Sequence, residues 1–180
     1  NKKQLKKFIK EEKSERKLSK QILANIQKMP KNAHPMDVIR TCVSLMALED
    51  KDTKDNSPKA NMRKAMRIFA KTPTAVAAYF RCRKGKKIIS PDKKLSFSEN
   101  FFKMMFGKVP DKEIVKAFDI SLILYAEHSF NVSTFTARTI TSSLSDIHGA
   151  ITGAIASLKG PLHGGANEAV MIMIKEIGKP

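Results

Sequence analysis

Ile147–Glu168 reads IHGAITGAIASLKGPLHGGANE, and this stretch decides the class of the fold. Its first twelve residues are largely small: Gly149, Ala150, Gly153, Ala154, Ala156 and Ser157 alternate with isoleucines. Glycine inside a helix costs about 1 kcal/mol relative to alanine. Gly149 and Gly153 therefore predict a helix pressed so closely against a neighbour that larger side chains do not fit. Gly160-Pro161 ends it, and a further helix begins near Ala166. Between the two, His163 stands among Gly160, Gly164 and Gly165. Glycine lets backbone and ligand approach closely. The open amides and positive dipole of a helix start favour an anion and disfavour an imidazolium. The pattern predicts a neutral imidazole that donates to a carbonyl oxygen; a turn histidine is the plainer alternative.

Working outward, helical punctuation recurs and no convincing strand appears. Ser133–Leu144 reads as another helix. Pro110-Asp111 opens a longer one running through Ile120-Ser121-Leu122-Ile123-Leu124-Tyr125 to His128, whose near-continuous apolarity predicts burial on most sides. Ser96-Phe97-Ser98-Glu99 is a capping box, followed by Phe101, Phe102, Met105 and Phe106, with Gly107 as the stop. Ser57-Pro58 starts a helix with Met62, Ala65, Met66 and Phe69 inward, broken at Thr72-Pro73. The next helix runs to Arg83, with Gly85 as its cap. Pro35 suits a first helical position, and Val38, Cys42, Leu45 and Leu48 form one face of that helix. Lys51–Ser57 reads as a polar loop tolerant of insertion, and Ile88-Ile89 as the one β-like scrap. A single lysine-rich helix is expected from Lys3 to about Lys28, with Leu18, Ile22, Leu23 and Ile26 as its stripe. The class is all-α.

Composition bounds the function. The 180 residues are 42% hydrophobic, which excludes a disordered chain. No apolar run approaches the roughly 20 residues of a membrane span, and the charged opening at Asn1-Lys2-Lys3 predicts no secretory leader. Cys42 and Cys82 read as reduced thiols of a cytoplasmic protein. The formal charge of +17 is uneven: residues 1–116 hold 30 basic and 12 acidic side chains, residues 117–180 four and five. A basic helical module for nucleic acid is the rival class and would gather Lys and Arg on one helix face. Lysines instead scatter over helices and loops, which reads as a solvated surface with no dedicated nucleic-acid partner. Serine-hydrolase, phosphate-loop and zinc-ligand patterns are absent, so no metal is expected.

Three other histidines occur. His34 is expected at a helix start and His148 at the surface. His128 closes the apolar run beside Asn131, Ser133 and Thr134, and reads either as a satisfied core histidine or as a ligand contact.

Gly160–Val170, GPLHGGANEAV, resembles the signature of the citrate synthases. Ala33–Arg40 (AHPMDVIR), Leu95–Gly107 (LSFSENFFKMMFG) and Leu124–Arg138 (LYAEHSFNVSTFTAR) fit the same family. The resemblance covers nearly the whole chain and weakens over the first 28 residues. The EHSFNVSTFTAR form is most similar to bacterial 2-methylcitrate and related citrate synthases.

The resemblance implies condensation of propionyl-CoA or acetyl-CoA with oxaloacetate, followed by thioester hydrolysis, with no cofactor and no metal. His163 then matches the catalytic histidine that donates to the thioester carbonyl. His128 matches a histidine that binds oxaloacetate, and Ser133 and Asn131 match polar groups near the catalytic one. The resemblance also implies a homodimer formed by the large helical domain, with Ser133–Leu158 as the contact. Residues 1–32 would be an N-terminal helix, 33–165 the helical core, and 166–180 a helix leading towards the small domain. The family's carboxylate base, a further histidine, its oxaloacetate arginines and its CoA segment all lie C-terminal to this motif. The chain is thus expected to be a piece of a longer protein and inactive alone; a non-catalytic relative is the third reading.

Overall fold

The computed structural model describes residues 1–126 and 129–178. Nine helices follow one another among the described residues, without a strand: α1 (Lys2–Glu15), α2 (Lys20–Lys28), α3 (Pro35–Glu49), α4 (Pro58–Arg83), α5 (Phe97–Phe106), α6 (Lys112–Leu124), α7 (Val132–Ser142), α8 (Ile147–Leu158) and α9 (Gly165–Ile177). The expected all-α class holds, and Ile88-Ile89 is loop. None of the described helices is long and apolar enough to cross a membrane.

Local chemistry fixes most boundaries. Ser57 and Ser96 cap α4 and α5 through their hydroxyls, and Glu99 returns a bond to the Ser96 amide at 2.8 Å. Pro35 and Pro58 sit in first turns. Gly107 ends α5 in the left-handed conformation, φ 86°. The long α4 is the spine, packed by α1, α2, α3, α5 and α8. The core lies where α2, α3 and α4 meet, around Ile22, Ile26, Val38, Cys42, Ala75 and Tyr79. The Tyr79 hydroxyl fastens the α2–α3 connection, 2.7 Å from the Pro30 carbonyl and 2.9 Å from that of Ala33.

Several expectations are corrected. The N-terminal helix is two helices. Arg16 turns inward to a bidentate pair with Glu12, its guanidinium also donating to the Asp92 and Leu95 carbonyls. Its own carbonyl accepts from Thr74 Oγ1, and Ser19 starts α2 afresh. Thr72-Pro73 does not break α4. Buried Ile68 and Ala70 before it, and Thr74, Ala75, Ala77 and Ala78 after it, hold the helix through a defect of about 3 kcal/mol. The inward face of its first half is Ala60, Lys64 and Ile68, while Met62 and Phe69 are exposed. On α3 the buried row ends at Met46, and Leu48 is 83% exposed.

Lys51–Ser57 is not a free loop. Arg67 grips Asp50 with two bonds of 2.7 and 2.6 Å and reaches Asp52 at 2.6 Å, and Arg63 donates twice to Asp52. The fully buried Lys64 amine donates to the Asp55 carbonyl at 2.7 Å. Hydrogen bonds from Arg63 and Arg67 hold the Asp52 carboxyl far below the ordinary carboxylate range.

His148 is a core residue, 1% exposed. It packs on this cluster, Nε2 3.5 Å from Asp50 Oδ2 and Nδ1 3.6 Å from Asp146 Oδ1. Burial pushes its pKa below 6.5; Asp50 and Asp146 pull the other way, and Lys64 and Arg67 add to the lowering. A histidine held neutral in the native state stabilises it above the unfolded pKa of about 6.5. That contribution is lost as pH falls towards the folded value. Urea midpoints measured across this window should fall with pH in the parent protein and stay flatter in His148→Asn. Parallel slopes would refute the assignment. Losses from the low-pKa aspartates come only below about pH 4.

α6 also departs from expectation. None of its residues is buried, and Ile123 is 72% exposed. Phe101 of α5 stacks on Phe118 and Phe102 meets it edge-on, but the apolar side chains of Ile120–Tyr125 stay exposed among the described residues.

Candidate active site

The close helix packing read from the glycines is real at Gly153. A Cβ there would collide with Ile140 Cδ1 of α7, with Thr136 Cγ2 at 3.4 Å. Gly149 has another role: its amide donates to the α8 cap, Asp146 Oδ1, at 3.0 Å. The near contact of α7 and α8 brings a polar group of one against the backbone of the other. Ser133 Oγ lies 3.0 Å from the Ala154 carbonyl and 2.8 Å from His163 Nε2.

His163 sits in the short loop joining α8 to α9. Its amide donates to the Gly160 carbonyl at 3.0 Å, and the Gly165 amide donates to the same oxygen at 3.1 Å. The bracketing glycines are required by space rather than by dihedral angle. A Cβ at Gly164 would stand 2.6 Å from the Leu158 carbonyl oxygen, and one at Gly165 2.6 Å from that of Lys159. The loop thus folds onto the end of α8 and presents the imidazole beside the start of α9.

One hydroxyl proton serves two acceptors here. When Ser133 donates to the Ala154 carbonyl, Nε2 of His163 must carry the ring proton and donate to Oγ. When Ser133 donates to Nε2, the neutral ring carries its proton on Nδ1 and becomes a donor on that side. The Ser133 hydroxyl is thus coupled to the tautomer of the His163 ring.

The other expected residues fall as follows. Asn131 caps α7, its Oδ1 accepting the Thr134 amide at 3.1 Å, and it lines a surface cleft of about 320 Å³ with Phe130, Phe135 and Arg138. His128 lies outside the described residues. His34 is at a helix start as expected: its Nδ1 accepts the Met36 amide at 3.2 Å. Sequence reading missed its second bond, Nε2 to Glu168 Oε2 at 3.1 Å. It also missed Lys159, whose amine donates to Asp37 Oδ2 at 2.7 Å. That bond holds the Asp37 carboxyl below its ordinary range. His34, Lys159 and Glu168 border a second cleft, of about 300 Å³, with Tyr125 and Asn167. The only trace of this arrangement in the sequence is the polar start of AHPMDVIR.

The whole chain, residues 1–180, matches the family model described as citrate synthase, C-terminal domain. The 2-methylcitrate synthase of Mycobacterium tuberculosis H37Rv is 50% identical over 173 residues, 96% of this chain and 44% of its own length. The citrate synthase of Mycolicibacterium smegmatis is 48% identical over 175 residues, 97% of this chain and 47% of its own length. Among solved structures, a ternary complex of carboxymethyl coenzyme A and oxaloacetate with the citrate synthase of Thermoplasma acidophilum superposes with a TM-score of 0.92 at 27% identity. That alignment covers 100% of this chain and 47% of the other. The chain spans slightly under half the length of these relatives. With sequence and fold in agreement from end to end, the chain belongs to the citrate synthase family.

Proposed function

We propose that the protein condenses an acyl-CoA with oxaloacetate and then hydrolyses the thioester. The observation that carries this reading is the Ser133–His163 contact at the head of α9, in a loop that glycines alone can form. A neutral imidazole fixed there is suited to donate to a thioester carbonyl and to stabilise the enolate as charge develops on oxygen. The α-proton must go to a base elsewhere. Glu168 is engaged by His34, and Asp146 caps α8, so neither acts as that base. His128 binds oxaloacetate in this reading. Asn131, through its cap, and Ser133, through its hydroxyl, set the entry to α7 and the imidazole. No metal or cofactor is needed.

Propionyl-CoA is the proposed acyl donor, giving 2-methylcitrate, with acetyl-CoA and citrate the alternative; relatives of both names support the pair. The protein is proposed to work as a cytoplasmic homodimer. The exposed Phe135 of α7 and Leu144 just after it supply apolar surface for that contact.

Thiol release by the full-length protein with oxaloacetate and each acyl-CoA tests the function. A methylene in an acyl pocket is worth about 1–3 kcal/mol, so kcat/KM should favour propionyl-CoA by at least about tenfold. The reverse order would assign citrate synthase, and no turnover with either would refute the reaction. The isolated 180 residues should give no more thiol than their His163→Ala variant.

A further inference from the structure

The loop that carries His163 is bounded by Lys159, the residue after α8, and by Glu168, in the first turn of α9. Both boundaries are tied to one place. Lys159 Nζ is 2.7 Å from Asp37 Oδ2, and Glu168 Oε2 is 3.1 Å from His34 Nε2. His34 is the N-cap of α3, and Asp37 lies in its first turn.

The hydrogen bonds fix the direction of the second tie. His34 Nδ1 accepts the Met36 amide, so the ring proton is on Nε2, which donates to the Glu168 carboxylate. The cap thus orients the imidazole towards α9. Asp37 is oriented as well, its second oxygen 3.1 Å from Arg40. Within the loop the His163 and Gly165 amides share the Gly160 carbonyl and Ser133 meets the imidazole, so the ties at its two ends add the hold on α3.

We infer that the first turn of α3 clamps both ends of this loop, making His34, Asp37, Lys159 and Glu168 positioning residues for the His163 imidazole. The inference rests on the catalytic reading of His163 and adds four residues that touch no reacting atom. Partly exposed ion pairs contribute little to stability. Their effect here is on where the imidazole sits, and a misplacement of about 1 Å can cost up to about 10²-fold in rate.

Glu168→Ala, Glu168→Gln and His34→Asn in the full-length protein test it. Asparagine is a strong N-cap, but its amide ends where His34 Nδ1 sits and cannot reach Glu168. Glutamine keeps an acceptor for Nε2. Two readouts are taken: hydrogen exchange of the 160–168 amides, and kcat with KM. Expected for Glu168→Ala and His34→Asn are about tenfold faster exchange and about tenfold lower kcat, at unchanged KM for the acyl-CoA and unchanged urea midpoint. The double variant should be no worse than either, and Glu168→Gln should stay within about twofold of the parent. Unchanged exchange in Glu168→Ala and His34→Asn overturns the clamp. Faster exchange with kcat unchanged overturns its positioning role. If His163→Ala retains turnover, the catalytic reading of His163 fails instead, and the exchange data still judge the clamp.

Discussion

His163→Ala in the full-length protein lowers kcat by about 10³-fold and leaves the affinity for oxaloacetate within a few-fold. The magnitude follows from what is removed: a donor preorganised towards an oxygen that becomes negative only as the enolate forms. A donor fixed in place beforehand needs no reorganisation during the reaction, so its removal is felt in the chemical step rather than in substrate binding. The structural support is the bond between the imidazole and Ser133. Ser133 Oγ meets Nε2 at 2.8 Å and can hold the neutral ring in the tautomer that donates from Nδ1. Exchange of the acyl α-protons with deuterated solvent isolates the enolisation step and should fall in parallel with turnover. Retention of more than about a tenth of the parent kcat would exclude His163 as the donor.

Gly165→Ala is expected to cost about 2–3 kcal/mol in stability and about 10²-fold in kcat. The added Cβ would lie 2.6 Å from the Lys159 carbonyl oxygen, 2.8 Å from that of Gly160 and 3.0 Å from the Gly160 carbonyl carbon. All three are backbone atoms, so no side chain can rotate away. The Gly165 amide also donates to the Gly160 oxygen that the new methyl would displace. The loop must open, and His163 moves with it. Gly149→Ala is the matched control in the preceding helix. The nearest atom to its Cβ is the Ser145 hydroxyl at 3.3 Å, a group free to turn, and alanine recovers about 1 kcal/mol of helix propensity. Urea midpoints and kcat for the two variants should therefore separate clearly; equal behaviour would show that the loop tolerates a side chain.

What the sequence made legible was local. Caps and stops at Pro35, Ser57, Ser96 and Gly107 depend on neighbours within four residues, and each occurs where expected. The glycine-lined loop was legible for the same reason. Inward faces were not: Leu48 and Met62 point to solvent, while Lys64 and His148 are buried. Periodicity shows that a helix has an apolar row without showing which row finds a partner. Pro73 misled because propensity weighs only the missing backbone bond, whereas small residues on both sides hold α4 together. α6 misled in the opposite sense: its apolarity is genuine, but among the described residues Ile120–Tyr125 stays largely exposed. At the site, the meeting of Ser133 and His163 followed from the family resemblance. The tie from His34 to Glu168 did not, because 134 positions separate the partners and each has an ordinary local role as cap or first-turn acid.

The same separation bears on how the molecule acquires its site. The loop's two outer ties reach back 122 and 134 residues, while most of its internal bonds span five residues or fewer. Contacts so distant along the chain carry a large closure entropy and form after local structure. Helices and the α2–α3–α4 core can therefore assemble before His163 is set in place. A mild denaturant or a destabilising change far from the loop would then cost imidazole alignment before it cost helicity. Loss of activity ahead of loss of circular dichroism would be the mark of that order.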